Sequence, residues 1–155
     1  MNLAERLLPL ARAKGMMIAT AESCTGGMVS AAITDIPGSS AIFDRGFVTY
    51  TNAAKIDMLD VQEATLTAYG AVSEEVAREM ARGALRRSNA DIAVSITGIA
   101  GPGGSDHKPE GRVCFGLAMA DGATSHTMEF GAIGRAQVRA AAKDHALTML
   151  WNALT

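Results

Sequence analysis

The chain has 155 residues, 48% of them apolar and 19% charged, which suits one compact domain with a sizeable core and argues against disorder. The net charge of −2 comes with no basic run, so a nucleic-acid partner, which needs clustered Lys and Arg against phosphates, is disfavoured. Aromatics are only 5%, with Ala and Met filling much of the apolar share, a balance that favours helices packed on a flat sheet over a β-sandwich. Cys24 and Cys114 lie far apart, so a reducing cytoplasm is the simpler setting than a secreted disulfide scaffold. No apolar stretch approaches the roughly 20 residues that span a bilayer, and the charged first helix is not a signal peptide, so a soluble protein without membrane partners is expected.

In chain order, Leu3, Leu7, Leu8 and Leu10 with Ala11 put one apolar stripe on a first helix that Lys14-Gly15 closes. MMIAT (16–20) reads as a short buried strand, and Ser23 or Thr25 as the N-cap of a helix over 26–34. After the break at Pro37-Gly38, a second strand is expected over 45–51, then a helix carrying Ile56, Met58 and Leu59 and a short helix near 62–69. Ser73 followed by Glu74 and Glu75 opens a long helix to about Arg87. DIAVSITG (91–98) is the most strand-like segment, and it runs into a Gly- and Pro-rich loop over 98–111. Two further strands, RVCFGLAMA and ATSHTMEF, meet at Asp121-Gly122, a type I′ hairpin signal, and a last helix covers 135–154. The order α-β-α-β-α-α-α-β-β-β-α predicts a single-domain α/β fold: a three-layer α/β/α sandwich on a mixed, mostly parallel sheet of about five strands.

Ligands of such sheets bind beyond the carboxyl ends of the parallel strands. Three of those ends are polar or Gly-rich here: AESCTGG, TYTNAAK and TGIAGPGG. In the first, Ser23 is a candidate nucleophile, and amides near Thr25, Gly26 and Gly27 are expected to face a ligand at a helix start. A simple capping role for Ser23 or Thr25 fits the same pattern. Cys24 is the rival nucleophile, since a helix N-terminus lowers a thiol's pKa. In the second, Tyr50 and Lys55 could take and relay a serine proton if burial lowers the lysine pKa; a surface Lys and a strand-anchoring Tyr are the plain alternative. The third is not a dinucleotide fingerprint, having the wrong spacing and no following helix, but Thr97, Gly98 and Gly101 could wrap a nucleotide. Asp106-His107, His126 and His145 have no ligand-like spacing, so neither a metal nor another cofactor is expected. Arg135 and Arg139 share a face near the start of the last helix that could meet an anion but reads most simply as solvated.

Together and in order, AESCTGG (21–27), TDIPGSSAIFDRGFVTYTNAAK (34–55), YGAVSE (69–74), VSITGIAGPGG (94–104) and KPEGRVCFG (108–116) resemble the CinA C-terminal-domain family over nearly the whole chain, in its stand-alone form. The family includes nicotinamide mononucleotide deamidases. The resemblance implies strand order 2-1-3-4-5 with strand 4 antiparallel, and metal-independent hydrolysis of nicotinamide mononucleotide to nicotinic acid mononucleotide and ammonia. It places the family's serine, tyrosine and lysine on Ser23, Tyr50 and Lys55. Arg45 is a candidate phosphate partner, and GAIGR (131–135) lacks the Asp that relatives carry before the last helix. A non-catalytic nucleotide-binding module is the alternative reading, and a homodimer is compatible with either.

Overall fold

The computed structural model describes residues 1–155. Its helices are α1 (Leu3–Lys14), α2 (Met28–Thr34), α3 (Asn52–Leu59), α4 (Glu63–Tyr69), α5 (Glu74–Arg86) and α6 (Arg135–Leu154). Its strands are β1 (Ile18–Glu22), β2 (Phe43–Val48), β3 (Ile92–Gly98), β4 (Arg112–Met119) and β5 (Gly122–Glu129), in sheet order β2-β1-β3-β4-β5. β1 pairs in parallel with β2 and β3, while β4 is antiparallel to both of its neighbours, so four strands point one way and β4 the other. Both the layering and the strand order agree with expectation.

Alternation along the strands feeds two layers of core. Ile18, Ile92, Val94 and Ile96 face a cluster built with α1, α2 and α6. Ala19, Ala21 and Ala93 face a smaller one with Leu59, Val76, Met80 and Ala84. That second face is lined by alanines because α5 lies close to the sheet. A Cβ at Gly116 of β4 would collide with the Ala77 carbonyl on α5.

Several local expectations shift. β1 starts two residues late and runs two further, because Ala21 and Glu22 still pair with β2 and β3. β2 begins earlier and stops at Val48, where the chain turns so that the Thr51 hydroxyl accepts from Ala54 N–H and caps α3. Ser73 caps α5 as expected. Neither Ser23 nor Thr25 caps α2; the cap position is Gly27, at φ 110°, and has no capping side chain. The hairpin between β4 and β5 forms, but Met119 pairs with Gly122, so the loop is Ala120-Asp121. Asp121 does not take the positive φ that a type I′ turn over Asp121-Gly122 requires.

Candidate active site

Parallel pairing of β1 with β2 and β3 brings the ends of all three strands to one rim. A cleft of about 330 Å³ opens there, lined by Ser23, Cys24, Tyr50 and Lys55 on one side of the chain and by the 97–106 loop on another. The Ser23 N–H still donates to Ile96 O at 3.0 Å, which anchors the residue to β3 just beyond the end of β1.

Lys55 sits in the first turn of α3 and is 1% exposed. Its Nζ lies 3.1 Å from Ser23 Oγ, 3.1 Å from Thr49 O and 3.4 Å from Tyr50 O. All three neighbours are uncharged oxygens. Burial therefore dominates and pushes the amine below the ordinary lysine value, with Cys24 acting weakly the other way.

The turn carrying Ser23 is held from both sides by residues that sequence reasoning did not assign to it. The fully buried Glu22 carboxylate accepts from Val29 N–H, Ser30 N–H and Ser30 Oγ, each at 3.0 Å. An acidic side chain of the chain itself thus occupies the start of α2, and no ligand anion is needed there. From α6, Arg139 donates through Nε to Cys24 O at 3.0 Å and through Nη2 to Thr25 O at 3.3 Å. The Gly26 N–H is committed to Ser23 O. Thr25 is fully buried, and Thr25, Gly26 and Gly27 lie outside the cleft lining.

The expected fall in the Cys24 pKa is reversed. Burial raises the thiol to about 11, outweighing its own backbone N–H and the Arg139 charge, which act the other way. Cys24 lines the cleft as a neutral thiol.

Tyr50 is 57% exposed, and its phenol oxygen accepts from Arg135 Nη2 at 2.9 Å. Its contact with Lys55 runs through its main-chain carbonyl. Arg135 also donates to Gly101 O at 2.6 Å, so it ties the Gly-rich loop to the Tyr50 side of the cleft. The two arginines read as a solvated face are instead the residues by which α6 grips the site loops. Their i, i+4 spacing was the visible signal.

Thr97, Gly98 and Gly101 line the cleft. Thr97 Oγ1 is spent on Ala71 O at 2.8 Å. Gly101, at φ +93°, leaves no room for a side chain beside Glu110. Arg45 is not part of the cleft: it lies opposite Ala19, and its side chain is bound to Asp44 and to Arg87 O. The register explains this, since Arg45 lies three residues before the end of β2. The side chains assemble no group of three or more His, Cys, Asp or Glu; His126 and His145 face each other across β5 and α6.

A serine hydroxyl on a buried lysine amine, at the strand-end rim of a doubly wound sheet, places the protein among α/β proteins with a serine–lysine pair. The sequence pattern of the CinA C-terminal domain matches residues 1–154, and the chain belongs to that family. It is 53% identical over 153 residues to the nicotinamide-nucleotide amidohydrolase PncC of Escherichia coli K12, covering 98% of this chain and 93% of that one. A CinA-like protein of Chlorobium limicola is 52% identical over 144 residues, 90% of this chain but 34% of that longer one. Among solved structures, the competence/damage inducible protein of Agrobacterium tumefaciens superposes with a TM-score of 0.93 at 52% identity, covering 98% of this chain and 93% of that one.

Proposed function

We propose that the protein is a cytoplasmic amidohydrolase that converts nicotinamide mononucleotide to nicotinic acid mononucleotide and ammonia without a metal. The observation that carries this reading is the 3.1 Å approach of Lys55 Nζ to Ser23 Oγ, with Lys55 buried and bonded only to uncharged oxygens. The full-length likeness to an amidohydrolase acting on nicotinamide nucleotide supports the substrate.

With its pKa lowered, Lys55 offers a neutral amine to the serine proton. Ser23 Oγ bonds to the carboxamide carbon as the proton passes to Nζ, and the carbonyl becomes an oxyanion. Gly26 N–H is already used, so the amide of Cys24, next to the nucleophile, is assigned to the oxyanion. Collapse breaks the C–N bond while the Lys55 ammonium returns its proton to the leaving nitrogen, releasing ammonia. Water, deprotonated by the same amine, then cleaves the acyl-serine ester. The pyridinium charge withdraws electrons from the carbonyl and assists both attacks.

Tyr50 enters this scheme as a wall of the cleft mouth, because its hydroxyl is bound to Arg135 and reaches Lys55 only by its main chain. Arg135 replaces Arg45 as the cation assigned to the substrate phosphate, with Thr97, Gly98 and Gly101 lining the nucleotide's path. The test is ammonia release from nicotinamide mononucleotide by the purified chain, with Ser23→Ala alongside. Tight binding of the nucleotide without ammonia release would overturn the reading in favour of a binding module.

A further inference from the structure

The segment joining α4 to α5 supplies Ala71 and Val72 to the cleft, and its main-chain carbonyls are each held by a side chain. Tyr69 O and Val72 O both accept from Lys108 Nζ at 2.6 Å. Gly70 O accepts from Ser73 Oγ at 2.8 Å, and Ala71 O from Thr97 Oγ1 at 2.8 Å. Four consecutive carbonyls, Tyr69 to Val72, are thus each engaged by a side chain of the protein. Lys108 supplies two of the four bonds and lies in the Gly-rich loop, just behind the tip that forms the other wall. Its own N–H donates to Ser105 O at 2.8 Å and its carbonyl accepts from Ser105 N–H at 3.0 Å, fixing the loop tip where Ser105 and Asp106 line the cleft. One residue therefore holds two walls of the same cleft, by its main chain on one and its ammonium on the other. Gly70, at φ +79°, makes room for this: a Cβ there would stand 3.0 Å from the Lys108 Nζ.

From this geometry we infer that Lys108 is a positioning residue for the substrate, setting the spacing between the Gly-rich loop and the 69–72 wall without touching the Ser23–Lys55 pair. The substrate part of this inference rests on the proposed function; the clamp itself does not. Clamping a cleft in its bound spacing strengthens ground-state and transition-state binding alike, and so acts on KM more than on kcat.

The experiment compares Lys108→Met, which keeps the stem and removes the donors, with Lys108→Arg, which keeps donors and charge. Lys108→Met should raise KM for nicotinamide mononucleotide about tenfold and change kcat less than about twofold, while Lys108→Arg stays within about threefold of wild-type KM. Labelling of Ser23 by a small fluorophosphonate probe should be equal in all three proteins. Independently of any substrate, hydrogen exchange in Lys108→Met should speed up at amides 69–73 and 103–108 and stay unchanged in α3. Unchanged exchange there would overturn the clamp, whatever the substrate proves to be. Faster exchange with an unchanged KM would overturn the positioning role, and absence of ammonia release by the wild type would overturn the substrate reading alone.

Discussion

Lys55 Nζ and Ser23 Oγ stand 3.1 Å apart across 32 residues of chain, because β1 and the β2–α3 turn end side by side on one rim. Within that contact the base and the nucleophile are already at hydrogen-bond distance, and the lysine is stripped of water.

Exchange of the two candidate nucleophiles separates their roles. Ser23→Ala should lower kcat by about a thousandfold or more, whereas Cys24→Ala should keep most of it. With its thiol raised to about 11, Cys24 is almost entirely protonated at pH 7, so iodoacetamide should leave turnover intact. Inactivation by iodoacetamide, blocked by substrate, would move the chemistry to the thiol.

Turnover should rise with pH as Lys55 loses its proton, reaching a plateau below the usual lysine value of about 10.4. Lys55→Arg keeps the charge yet should be nearly inactive, since a guanidinium cannot accept the proton. The stability linkage has a definite sign. The folded state binds the Lys55 proton less readily than the unfolded chain, so between the lowered pKa and about 10.4 the unfolded state carries more protons and stability rises with pH. Urea unfolding of wild type against Lys55→Met should show wild type gaining relative to the variant over that window. A pH-independent difference would contradict a lowered Lys55 pKa.

Glu22→Gln should destabilise the fold by about 1–3 kcal/mol, because an amide cannot accept all three bonds and turns its NH₂ toward donors on α2. Activity should fall more steeply than the fraction folded, since the displaced turn carries Ser23. Urea midpoints and kcat measured on the same samples decide it.

Arg135→Ala should raise KM for the nucleotide at least about tenfold, whereas Arg45→Ala should leave kcat/KM within about twofold. Arg45 is held away from the cleft by Asp44 and Arg87 O, and Arg135 stands at its mouth. An Arg45 effect equal to that of Arg135 would reverse the assignment. Exhaustive EDTA treatment should leave turnover unchanged, given a cleft whose side chains assemble no ligand set; recovery of lost activity by a divalent ion would refute it.

Much of the architecture is legible in local pattern. The α1 stripe closed by Gly15, the Ser73 cap, the 135–154 helix and the β4–β5 hairpin each depend on residues within a few positions of one another. The turn falls one residue before the Asp121-Gly122 dipeptide because strand register, which extends pairing to Met119–Gly122, overrides the dipeptide preference. The site was legible in part: Ser23, Tyr50, Lys55, Thr97, Gly98 and Gly101 line one cleft, but Thr25, Gly26, Gly27 and Arg45 do not.

By itself the sequence determines which segments become helices and strands and which strand ends are rich in reactive and flexible residues, since caps, periodicity and turn chemistry are short-range. Only the tertiary structure decides what those residues become. The carboxylate of Glu22 caps the start of α2, Cys24 is buried into a poor acid, Lys55 is sealed against Ser23, and Arg135, Arg139 and Lys108 are used to hold loops together. Desolvation and main-chain hydrogen bonding are set by neighbours up to 115 residues away along the chain, and no local pattern encodes them.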